Sequence, residues 1–130
     1  SQSGGAIISH KNSNRGIGFS SENKISFFGE PAPYGGISFP QVINSEFNIL
    51  TLNFENNVSC WLNNHKNGIQ LGTEDVTDKK FNQIGALYGG SNSLSGSITE
   101  VVITNSVLGS QERSILVHYL ANKWGLIHKL

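Results

Sequence analysis

The sequence predicts an all-β fold: two antiparallel sheets packed as a sandwich, with one C-terminal α-helix laid on it. Three observations predict it. Short apolar-alternating segments recur between clusters of Gly, Asn and Ser, the pattern of strands joined by tight turns. A single stretch near the end, around "HYLANKWGL" (His118 to Leu126), has helical spacing. The segment before it, "SITEVVITN" (Ser97 to Asn105), is apolar on both faces, so a strand there needs a second covering layer.

From the N-terminus, "GAIIS" (Gly5 to Ser9) reads as a strand followed by the polar turn "HKNSNRG". "IGFSS" from Ile17 and "KISFFG" from Lys24 form a hairpin candidate around "SEN". Pro31 and Pro33 make "EPAPYGG" a loop, because each removes a ladder donor, and "ISFP" from Ile37 is an edge-type strand stopped by Pro40. "FNILTLNFE" (Phe47 to Glu55) and "VSCWLNN" (Val58 to Asn64) form a hairpin through Asn56-Asn57, since Asn tolerates positive φ. Leu50, Leu52 and Phe54 share one face of the first strand. Val58, Cys60 and Leu62 share one face of the second, and Trp61 lies on the other.

"GIQLG" reads as a short strand after a turn at "HKN", and "FNQIGALYGG" carries another strand from about Phe81 to Leu87. "SITEVVITN" is the most β-branched stretch of the chain. In the helix, Ser110 is the expected N-cap, Glu112 suits the first turn and Lys123 the last. Leu116, Leu120 and Trp124 form the expected buried ridge, and Gly125 the left-handed cap with Leu126 folding back.

The totals bound the function. With 130 residues there is room for one domain, residues 1–130. Charged residues make up only 14% of the chain, and its nine basic and nine acidic side chains cancel, which gives no footprint for nucleic acid or anionic lipid. No apolar run approaches the ~20 residues that cross a bilayer. Cys60 is alone and reads as a buried, inert thiol. Met is absent even at position 1, which predicts a processed chain or a piece of a longer one.

The C-terminal pattern resembles a known family. Gly96, Ile98, Glu100, Val101 to Ile103, Leu108, Glu112, Tyr119-Leu120 and Lys123-Trp124-Gly125 follow the order found in laminin-G-like domains of the concanavalin A-like lectin/glucanase superfamily. The resemblance spans roughly residues 47–130, and its Tyr-Leu…Lys-Trp-Gly ending is typical of members in phage and other viral structural proteins and in large secreted bacterial proteins. It implies a jelly-roll sandwich, an extracellular or virion-surface location, and either a glycan or receptor as partner or copies of the chain and other subunits of an assembly. Relatives usually carry strands before the segment that "GGAIIS" resembles, so either the sandwich is abbreviated or a partner chain or lost segment completes it.

Catalysis is not expected. The superfamily's glucanases resemble a strand with alternating acids, because side chains two apart share a face and place nucleophile and acid about 5 Å apart. Here Glu100 is followed on its face by Val102 and Thr104, so it reads as a structural acid at the strand edge, with Arg113 a candidate partner. His10, His65, His118 and His128 are scattered, with no paired spacing and a single Cys, so no zinc site is expected. Glu74, Asp75 and Asp78 in "TEDVTD" lack the glycine spacing of an EF-hand. No cofactor is expected, with calcium at that loop the one metal worth testing.

Binding is carried by aromatics and amides, since a sugar presents an apolar C–H face and hydroxyls that pair with amides. The candidate residues are Trp61, then Asn63, Asn64 and His65 in the adjoining turn, with Tyr34 and Tyr88 in Gly-rich loops. Each has a structural alternative. Trp61 can instead pack beneath a neighbouring loop or against another copy of the chain, and the two tyrosines can staple their loops.

Overall fold

A computed structural model describes residues 5–9, 16–19, 24–28, 38–42, 46–54, 58–70, 83–86 and 93–130. These residues are mostly β, with every described strand pair antiparallel and one α-helix at the C-terminus. The chain divides into two compact units, residues 1–44 with 77–101 and residues 45–76 with 102–130.

The first unit holds strands β1 (Gly5–Ser9), β2 (Gly16–Phe19), β3 (Lys24–Phe28), β4 (Ser38–Val42) and β8 (Gln83–Ile84). They form a five-stranded sheet in the order β4-β3-β2-β1-β8. Ala6, Ile17 and Ile25 are fully buried and supply its core. A bulge between Ala6 and Ile8 shifts the β1–β2 register, and β8 pairs with β1 through Ile8–Ile84. The expected strand from Phe81 to Leu87 is thus only two residues long among the described positions. Gly85, with φ of 85°, turns the chain away there, donating to Ile7 O and accepting from Leu94 N–H. β4 runs past Pro40 instead of stopping at it. This is tolerated because β4 is an edge strand, where a missing N–H costs no ladder bond.

The second unit holds a three-stranded sheet, β5 (Leu50–Phe54), β6 (Val58–Leu62) and β7 (His65–Gln70), in that order. The expected β5–β6 pairing is present, with Leu52 opposite Cys60 and Thr51 opposite Trp61. Cys60 and Leu62 are buried, as their shared face requires, while Trp61 on the other face is half-buried. The Asn56-Asn57 turn lies outside the described residues. A second Asn-Asn pair makes the next turn. Asn63 and Asn64 have φ of 52° and 76°, the positive pair of a two-residue I′-type hairpin, and Leu62 pairs with His65 across it. The turn expected at "HKN" is therefore corrected to Asn63-Asn64, and His65 to Asn67 belong to β7.

Helix α1 spans Ser110–Trp124. Its N-cap is Gly109, one residue before the expected Ser110. The Glu112 carboxylate accepts from the Gly109 N–H at 3.0 Å, and the Arg113 N–H donates to Gly109 O at 2.9 Å, so the first turn closes on Gly109. The C-terminus ends as its sequence predicts. Gly125 is left-handed with φ of 70°, and the Leu126 N–H donates back to Ala121 O at 2.7 Å. Leu126 then folds against the cluster of Ile49, Val117 and Ala121, together with Leu120 and Leu130.

Two expectations about burial are corrected. The inward stripe of α1 is Arg113–Val117–Ala121, with Val117 and Ala121 buried; Leu116 and Leu120 are half-buried, and Trp124 is 43% exposed. The predicted ridge is offset by one residue, about 100° around the helix. Val117 and Ala121 take the inward place, packed on Ile49. Residues 97–105 join neither sheet, and Ile103 is 85% exposed, so β propensity alone did not make a strand there.

Candidate functional site

The site is built from Trp61 outward. Strand alternation places Ile49, Thr51 and Asn53 on the same side of the sheet as Trp61, and α1 lies on that side. Asn53 reaches Leu108 O, just ahead of α1, at 3.5 Å. Val117 and Ala121 pack on Ile49, which leaves Arg113, one turn earlier, above the ring. The Arg113 guanidinium carbon sits 3.9 Å from the Trp61 centroid. A delocalised cation at that distance is attracted to the negative ring face and stacks on it.

Lys66 completes the group. It pairs with Trp61 across β6 and β7, and its exposed ammonium lies 5.9 Å from the ring centroid. The Arg113 Nε is buried and has no hydrogen-bond partner among the described residues. The arrangement is a half-buried indole carrying one stacked guanidinium and one peripheral ammonium. Chemically it offers an apolar ring edge beside hydrogen-bond donors of positive charge, a combination suited to acidic groups on a polar ligand.

The candidate residues of the turn divide. Asn63 is buried and committed to the fold: its Oδ1 accepts from the Ile49 N–H at 2.8 Å, and its Nδ2 donates to Asn48 Oδ1 at 2.9 Å. Its own N–H donates to Ile49 O at 2.8 Å, so Asn63 clamps the start of β5 from both sides of the backbone. Asn64 is half-buried and His65 exposed, and both flank the Trp61–Lys66 pair along the hairpin. Tyr34 and Tyr88 lie outside the described residues, as do Glu74, Asp75 and Asp78.

A second polar group adjoins the turn. Lys129 donates to Glu46 at 2.8 Å and to Asn48 Oδ1 at 3.4 Å, tying the C-terminal 3-10 turn (Ile127–Lys129) to the lead-in of β5. The Lys129 hydrogen bond, and then its charge, hold the Glu46 carboxyl below its ordinary value.

Lys66 and Arg113 are not among the binding residues expected from the sequence, where Arg113 is a candidate partner for Glu100 only. Lys66 had a signal, because a two-residue turn centred on Asn63-Asn64 makes Trp61 and Lys66 partners. Arg113 had none, since only the docking of α1 brings it to the ring. Glu100, expected at the edge of a strand, lies instead in the segment that joins neither sheet. Among the described residues no group of three or more His, Cys, Asp or Glu could hold a metal, and no helix is long and apolar enough to cross a membrane. Compared with family models, with curated proteins and with solved structures, the chain matches none.

Proposed function

We propose that the chain is a non-catalytic, lectin-like binding module displayed on a virion or cell surface, recognising a glycan or receptor that presents acidic groups. In this reading the two sheets form a jelly-roll sandwich of the concanavalin A-like, laminin-G-like type. The observation that carries it is the Lys66–Trp61–Arg113 group, a half-buried indole with a guanidinium from α1 stacked on it and an exposed ammonium from β7 beside it, next to Asn64 of the turn and His65 of β7. A neutral sugar stacking flat on the face covered by Arg113 would displace the guanidinium; a carboxylated or sulfated sugar can instead use it as donor. The antiparallel sheets and the single terminal helix with its Lys123-Trp124-Gly125 ending support the fold reading.

The test is binding of the purified chain to a panel of acidic and neutral glycans. Acidic members are expected to bind, and Lys66→Ala to weaken them about two- to fivefold without lowering the Tm, since Lys66 is exposed. Binding is expected to persist in EDTA, because the reading uses no metal. Affinity unchanged in both Lys66→Ala and Arg113→Gln would sink the assignment of the site.

A second reading, a structural module of a virion or secreted assembly with no small ligand, is favoured by one observation. Arg113 gives Trp61 a packing partner within its own chain, as a purely structural tryptophan requires. Failure of every glycan in the panel would select it. Glycoside hydrolysis stands a distant third, and sugar release abolished by Glu100→Gln would be needed to revive it.

A further inference from the structure

Helix α1 buries one stripe and leaves another bare. Glu112, Ile115, Tyr119 and Lys123 follow one another at three- and four-residue spacing, so they line a single face about 16 Å long. All four are exposed, Ile115 at 64% and Tyr119 at 57%. Two large apolar side chains bracketed by an acid and a base are not what an isolated solvated face needs.

We infer that this stripe is the contact by which two copies of the chain associate, helix against antiparallel helix about a two-fold axis. The charge order argues for a second copy. Turning one helix end for end places Glu112 of each copy against Lys123 of the other, at both ends of the contact, with Ile115 and Tyr119 meeting in the centre. The same rotation sets the two helix dipoles antiparallel. Glu112 gives one carboxylate oxygen to the Gly109 N–H, and a carboxylate has a second to offer an ammonium. Lys123 is held at its end of the stripe by the Tyr119 and Trp124 rings, at 6.0 and 5.5 Å from its ammonium. The chain's formal net charge of zero removes the long-range repulsion that keeps like copies apart. Four central side chains are far fewer than the roughly 20–30 residues per side of a standard interface, so the dimer is weak. The inference does not rest on the glycan reading, because none of its four residues belongs to the Trp61 group.

Sedimentation equilibrium between about 2 and 200 µM tests it. The wild-type mass should rise from 14.1 kDa towards twice that value across the range. Tyr119→Lys removes the apolar centre, and Lys123→Glu sets like charges against each other at both ends. Each should weaken association at least tenfold while the helical circular dichroism stays at the wild-type level. A wild-type chain that remains monomeric throughout overturns the inference. So does a dimer whose Kd changes less than twofold in either folded variant, since the contact then lies elsewhere or runs in another direction. A variant that loses its helical signal is replaced by Tyr119→Ser or Lys123→Gln, judged by the same criterion.

Discussion

Replacing Asn63 separates a structural role from a ligand-binding one, and its cost can be worked out from two features. The first is the clamp on Ile49. Asn63→Gly keeps the backbone free to take a φ of 52° but removes the amide that accepts from the Ile49 N–H. Ile49 is 8% exposed, so that N–H loses its partner where water has little access, at a cost of about 1–3 kcal/mol. The second is the left-handed backbone. Asn63→Ala loses the same bond and also puts a β-carbon into the left-handed region, adding about 1 kcal/mol or more over glycine. Asn63→Asp keeps the acceptor for Ile49 but turns the donor facing Asn48 Oδ1 into a second acceptor, so it should fall between wild type and Ala. Urea denaturation of the four proteins, with m-values compared, reads the order wild type, then Gly and Asp, then Ala. A Gly variant as stable as wild type would refute the clamp, and an Ala variant equal to Gly would refute the strain argument. Glycan affinity unchanged in the folded Gly variant would remove Asn63 from the ligand site and leave it a residue of the turn.

Two further outcomes follow from the same unit. Glu46 has a folded-state pKa held below its ordinary value of 4.5 by the Lys129 hydrogen bond, so its contribution is present above that value and is lost as pH falls through the depressed one. The Tm gap between wild type and Glu46→Gln should therefore shrink as pH drops from about 6 to about 3; a gap that stays constant means the pair does not stabilise the folded state. Arg113→Gln should cost about 0.5–2 kcal/mol through the lost ring contact. Measured with Trp124→Phe, so that Trp61 is the sole indole, its emission should shift on loss of the guanidinium; unchanged emission would mean the ring and Arg113 are apart in solution.

What could be read without coordinates was local. The β5–β6 pairing and the burial of Cys60 follow from alternation, because a strand's side chains change face at every residue. Gly125 ends α1 because only a residue tolerant of positive φ closes that turn at no steric cost. The turn at Asn63-Asn64 was legible by the reasoning already used for Asn56-Asn57, and placing it would have paired Trp61 with Lys66.

The sequence by itself determined that the protein is strand-rich and antiparallel, with one terminal helix whose first and last turns are charged to suit its dipole. Tertiary structure alone decided which side of that helix faces the sheet, because α1 carries apolar residues at two angles. Its packing on Ile49 and the stacking of Arg113 on Trp61 put Val117 and Ala121 innermost, with Leu120 packed beside them and Trp124 left exposed. The same holds for residues 97–105, whose branched side chains favour a strand that forms only where a neighbouring strand supplies the ladder. Propensity belongs to a residue, but pairing and facing belong to what lies next to it.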